Sequence, residues 1–169
     1  MTTLSKGKII FQYPLMNSLS IHYIPQDDYF PPKINLFKQI TGCDYNPSIH
    51  KGLKEQLLHL AEHLNLRALI ENDLLKERID WQKPLSGGQK KCIAVIGALL
   101  AKPQILLMDE VLNGMDADTI HKVQQLLKLN LPNTLMINVD HEYQSHNSDG
   151  FYDAILNLSD AIITLKESA

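Results

Sequence analysis

Cysteine is scarce: Cys43 and Cys92 are the only two, far apart and without metal-ligand spacing. Both are expected to be free thiols in a reducing compartment. No apolar run reaches the roughly 20 residues that cross a bilayer, and residues 1–8 are polar, lacking the apolar centre of a secretion signal. Positive charge is not concentrated either. The net charge is −3 and the 16 Lys and Arg residues are scattered, which argues against a nucleic-acid surface. There is no internal repeat and no low-complexity linker. What remains is a chain of 169 residues, 44% hydrophobic, enough for one cytosolic α/β domain with its own core.

Apolar runs at residues 8–11 and 19–24 read as short strands, the second stopped by Pro25. Residues 34–40 read as a short helix ended near Gly42. Residues 51–64 carry Leu53, Leu57, Leu60, Ala61 and Leu64 at helical spacing, an amphipathic helix. A polar stretch over 71–83 follows. Ser86 is placed as the N-cap of a helix running to about Ala101, which Pro103 forbids from continuing. A strand at 104–108, a helix at 117–129 capped by Asp116 and a strand at 134–139 come next. Residues 154–158 and 161–165 read as a terminal β-hairpin. Apolar strands alternating with helices predict a parallel sheet covered by helices.

Two motifs carry chemistry. Leu85-Ser86-Gly87-Gly88-Gln89 opens an apolar helix, so the Ser86 hydroxyl and the Gly87 and Gly88 amides can cradle a phosphate at a helix start. The plain alternative is a Ser N-cap followed by flexible glycines. Twenty residues beyond Gln89, the apolar run Ile105 to Met108 ends in Asp109 and Glu110. One carboxylate there suits Mg²⁺ and the next an attacking water. Taken alone, such acids are more often a solvated loop start. His141 follows the strand at 134–139, thirty-one residues after Glu110. His141 and His146, with Asp140, Glu142 and Asp149, lack the spacing of a metal site.

At this spacing the two motifs resemble the signature motif and Walker B strand of ABC-type ATPases, and the likeness covers nearly the whole chain. It implies a partial P-loop NTPase fold: a parallel sheet core, a helical subdomain over 34–84 that meets a membrane permease, and the signature-to-switch half over 85–169. It implies binding and hydrolysis of ATP with Mg²⁺ at the cytoplasmic face of a membrane. Ser86, Gly87, Gly88 and Gln89 would hold the γ-phosphate of an ATP bound by a partner domain. Asp109 resembles the Mg²⁺-holding aspartate, Glu110 the general base and His141 the switch histidine. Gln26 resembles the Q-loop glutamine that senses Mg²⁺. Asn113 to Asp116 occupy the D-loop, with Asp116 kept. The segments 23–32 and 35–40 look most like fused permease–ATPase transporters of the peroxisomal acyl-transporter type and their bacterial relatives.

Departures from the family pattern accompany the likeness. Cys92 and Gly97 stand where Arg is common, and Asp140 precedes His141 where Ser or Ala is usual. The phosphate-cradling Gly-x-x-x-x-Gly-Lys-[Ser/Thr] is absent; Gly7-Lys8 is the sole Gly-Lys pair. Half of a nucleotide site is therefore written here. A P-loop-bearing ATPase half or second ATP-binding domain would have to complete it. In a complete domain the P-loop strand and helix are expected against the Walker B strand, so their lack should open that strand's edge and an apolar face. Two further readings are a non-catalytic remnant or dimerisation module, and the C-terminal lobe of a chromosome-maintenance ATPase. The lack of a long coiled coil and of a basic surface counts against the last.

Overall fold

The computed structural model describes residues 19–27, 29–77, 80–81, 83–141, 150–157 and 162–165, with backbone alone for 156–157 and 162–165. The strand expected at 8–11 lies outside them. Three parallel strands form the central sheet in the order β1-β2-β3: β1 (Ile21–Ile24), β2 (Ile105–Asp109) and β3 (Leu135–Val139). Ile24 pairs with Met108, and Asp109 with Val139. Of the hairpin expected at 154–158 and 161–165, the two strands pair antiparallel as β4 (Ala154–Asn157) and β5 (Ile162–Leu165), while 158–161 lie outside the described residues.

Helices α1 (Leu36–Thr41), α2 (Pro47–His63) and α3 (Arg67–Asp73) fall within 34–84. Asn35 caps α1 by accepting from the Lys38 amide, and Gly42 ends it at φ 74°, a left-handed turn that favours glycine. Helix α2 begins four residues before the apolar periodicity does. Asn46 caps it and Pro47 fills the first turn, where no amide is missed. Helix α3 was not expected. Its signal is the i, i+4, i+8 trio Leu66, Ile70 and Leu74, all buried.

Helix α4 (Gly87–Ala101) is the axle of the fold. Ser86 and Gln89 form a reciprocal capping box at its start, and Lys102 ends it in the left-handed region before Pro103. Seven of its residues, from Cys92 to Leu99, are buried, the pattern of a helix wrapped on most sides. Cys92 packs there as a small apolar side chain, a place where an Arg would be a buried charge. A Cβ on Gly97 would stand 3.1 Å from the Ile40 carbonyl oxygen, so α1 lies too close for a longer side chain. Helix α5 (Ala117–Asn130) follows β2, capped by Asp116 as expected.

One sheet face carries Ile24, Leu106 and Met108, all buried in the core. The opposite face carries Ile21 and Tyr23 of β1 with Leu135, Ile137 and Val139 of β3, all exposed, Ile137 by 43%. This corrects one expectation. Both edges of β2 are paired, by β1 and β3. What stands open is the apolar face, while β1 and β3 are the outer strands of this sheet among the described residues.

His22 of β1 is half-buried, and that burial holds its imidazole below the ordinary value of 6.5. The unfolded chain therefore binds this proton more readily than the folded one. Stability is full above pH 6.5 and falls as the pH drops below it toward the folded value. We expect the urea midpoint to fall less between pH 7.5 and 5.5 in His22→Leu than in the wild type. Equal losses would remove His22 as a cause.

Candidate active site

The site is built where β1 and β2 end side by side. Pairing of Ile24 with Met108 brings the residues after both strands together. Gln26 lies two residues past β1, and Asp109 and Glu110 stand at the end of β2. Glu110 has φ 50°, a left-handed backbone that costs a non-glycine residue of order 1–3 kcal/mol. The bend lets its amide donate to the Val139 carbonyl at 2.9 Å and turns its side chain along the sheet edge.

Three side chains converge on the Glu110 carboxylate. Gln26 Nε2 donates to Oε2 at 2.7 Å and Asn113 Nδ2 to the same oxygen at 3.1 Å. His141 Nε2 stands 3.0 Å from Oε1. A carboxylate offers roughly four acceptor positions; the two amides take those of Oε2, and Oε1 faces His141. Glu110 is mostly buried (17% exposed) whereas His141 is 79% exposed, so the contact joins a fixed group to a solvent-facing one. The neighbouring Asp109 accepts from the Tyr23 hydroxyl at 3.1 Å. That hydrogen bond holds the Tyr23 phenol above its ordinary value.

Lys91 is a site residue that sequence reasoning missed. From the second turn of α4 its Nζ donates to the carbonyl of Glu110 at 2.7 Å and to that of Asn113 at 2.9 Å. It thus pins both ends of the turn that aims Glu110. Asn113 and Tyr23 were likewise not singled out for these contacts. A lysine in a helix reads as a solvated charge, and nothing in sequence spacing says that two carbonyls nineteen and twenty-two residues on will meet it.

A cavity of about 610 Å³ runs from this cluster to the start of α4, lined by Gln26, Asp27, Gly87, Lys91, Glu110 and Asn113 among others. Ser86 Oγ accepts from the Gln89 amide at 3.2 Å, and Gln89 Oε1 from the Ser86 amide at 2.9 Å. Ser86 is therefore an N-cap, as the plain alternative requires. The glycines need more. Neither has a left-handed φ, and a Cβ built on Gly87 or Gly88 meets nothing within 4 Å. The chain's own packing does not demand glycine here. Asp116 stands apart from the cluster. It accepts from the Thr119 hydroxyl at 2.7 Å and its amide at 3.0 Å, and these bonds hold its carboxyl below the ordinary range.

The carboxylates of Asp109 and Glu110 and the Gln26 amide are hard oxygen donors of the kind Mg²⁺ takes. Asn113 Oδ1, beside them, is buried with no hydrogen-bond partner among the described residues, an acceptor left for a group from outside. These residues fit a hydrated Mg²⁺. Among the described residues no group of three or more His, Cys, Asp or Glu side chains is placed to hold a metal alone. His146, Glu142 and Asp149 lie outside them.

A profile of the ABC transporter family matches residues 4–113. The chain belongs to the ABC transporter family. An uncharacterized ABC transporter ATP-binding protein of Haemophilus influenzae is 31% identical over 151 residues, 87% of this chain and 24% of that protein. The taurine import ATP-binding protein TauB of Pseudomonas putida is 43% identical over 67 residues, 40% of this chain and 25% of its own length. The phosphate import ATP-binding protein PstB 1 of Lactobacillus acidophilus is 32% identical over 110 residues, 64% of this chain and 41% of its own. Among solved structures, a bacterial Atm1-family ABC exporter with ATP bound superposes with a TM-score of 0.64 at 21% identity. The match covers 81% of this chain and 23% of the exporter's, and shows a shared fold. The chain thus spans about a quarter of the Haemophilus relative. Its fold is that of an ABC ATP-binding domain, α/β with a parallel sheet, and no helix among the described residues is long and apolar enough to cross a membrane.

Proposed function

We propose that this chain supplies one half of an ATP-hydrolysing site and that a P-loop-bearing segment from outside residues 1–169 completes it. In that assembly ATP hydrolysis drives transport through a membrane permease, with the domain peripheral to the cytoplasmic face. The observation that carries the reading is the Glu110 carboxylate, gathered by Gln26, Asn113 and His141 and backed by Lys91.

In the mechanism, Glu110 accepts a proton from the attacking water at Oε1. The Gln26 and Asn113 amides fix the plane of the carboxylate. His141, exposed on the same side, swings between Glu110 and the γ-phosphate. Asp109 and Gln26 would hold Mg²⁺, which would supply neutralisation of phosphate charge. The lysine and amide cradle for the β- and γ-phosphates comes from the other half. Ser86, Gly87, Gly88 and Gln89 face the γ-phosphate of a nucleotide held by a second ATP-binding domain, with Asp116 at the same dimer seam. Residues 34–84 form the subdomain that meets the permease. The likeness of 23–32 and 35–40 favours a fused permease–ATPase partner of the peroxisomal acyl-transporter type or its bacterial kin.

Gly88→Asp separates fold from function. The new side chain has room and adds an acid to the first turn of α4, which favours the helix by about 0.3–1 kcal/mol. In the completed ATPase the same carboxylate repels the γ-phosphate. The expected result is an unchanged or higher urea midpoint for the chain, with steady-state ATP turnover lost on completion. Normal turnover would remove the signature loop from the site.

A further inference from the structure

Outside the nucleotide site, the outer face of α2 brings two exposed histidines together near the helix end. His59 and His63 are four residues apart, one turn of helix, so their side chains rise from the same face. Their Nε2 atoms lie 3.4 Å apart and their rings cross at 83°. That separation is long for a nitrogen–nitrogen hydrogen bond, whose usual range ends near 3.2 Å. It matches a different geometry. Two nitrogens bound to one tetrahedral Zn²⁺ at roughly 2.0–2.1 Å stand about 3.3–3.4 Å apart. An i, i+4 histidine pair on a helix is also the arrangement by which helical zinc motifs present two imidazoles to one ion.

We propose that His59 and His63 form a bidentate site for a divalent transition cation of the Zn²⁺ class, with water in the remaining positions. Three features of the structure favour it. Both imidazoles are already exposed, so no burial opposes ion entry. The backbone of α2 is fixed by Leu57, Leu60 and Ala61 in the core, so the two histidines start from backbone positions set one turn apart. His63 closes the helix, where a cation meets the negative end of the helix dipole. Imidazole nitrogen selects Zn²⁺, Cu²⁺ or Ni²⁺ over Mg²⁺, so this site does not compete with the oxygen donors around Glu110.

The test is a titration of the full chain with ZnCl₂, read by the imidazole proton resonances of each histidine and by calorimetry. The His59 and His63 resonances should move together and saturate at one equivalent. MgCl₂ should leave them unmoved. His59→Ala or His63→Ala should each weaken this binding at least tenfold, because a chelate becomes a single ligand. His50→Ala and His141→Ala should leave it unchanged, and circular dichroism should show α2 intact in every variant. Unmoved His59 and His63 resonances, an equal response to MgCl₂, or undiminished Zn²⁺ binding in both single variants would overturn the proposal.

Discussion

Glu110→Gln is expected to lower ATP turnover of the completed ATPase by about 10²–10⁴-fold, the usual contribution of a positioned general base. Glutamine keeps the length and branching of the side chain. Its amide oxygen can still accept from Gln26 Nε2 and Asn113 Nδ2, which now reach the carboxylate at 2.7 and 3.1 Å. Lys91 still pins the Glu110 carbonyl, so the left-handed turn at φ 50° is retained. What is lost is proton acceptance from water and the Oε1 that faces the exposed His141. Nucleotide binding should therefore stay within a few-fold of wild type, and the urea midpoint of the chain should not move. Single-turnover kinetics with direct nucleotide binding would separate the two effects. Wild-type turnover in this variant would leave Glu110 a structural residue.

Ile137→Lys is expected to be nearly silent in the chain alone and severe in the completed domain. Ile137 lies in the middle of β3 on the open sheet face, 43% exposed, with Leu135 and Val139 beside it. A lysine there keeps its charge in water, so the cost to the chain alone is about 0.5 kcal/mol or less. If the P-loop half covers this face, the same lysine is buried without a partner, a penalty of several kcal/mol. Association of the halves should then be lost in size-exclusion chromatography, while the isolated variant unfolds at the wild-type midpoint. Association at wild-type strength would show that the P-loop half docks elsewhere. The exposed row also predicts that the chain alone tends to self-associate, since each such side chain, about half-exposed, still offers about 1 kcal/mol on full burial.

Much of this site was legible because its parts are contiguous in sequence. Ser86 announces a helix N-cap, Pro103 stops the helix after it, and an apolar strand ending at Asp109 needs no tertiary knowledge to be read. Gln26, Glu110 and His141 could be joined through family likeness, and they meet around one carboxylate. The rest depended on contacts between distant segments. The roles of Lys91 and Asn113 exist only because α4 crosses under the turn after β2. The place of β2 between β1 and β3 is likewise a matter of strand order, which apolar runs do not encode. Helix α3 was hidden differently. Its seven residues are too few for a clear periodicity, and two of its three buried anchors, Leu66 and Leu74, lie at its flanking caps.

The central proposal is that this chain supplies the water-activating half of an ATP site and that another segment supplies the phosphate-cradling half. Steady-state phosphate release, measured with Mg²⁺ and ATP on the chain alone and then with a P-loop-bearing ATPase half added, tests it most directly. The expected result is no release above background from the chain alone, and turnover on addition that disappears with Glu110→Gln. Robust release from the chain alone, abolished by the same substitution, would contradict it.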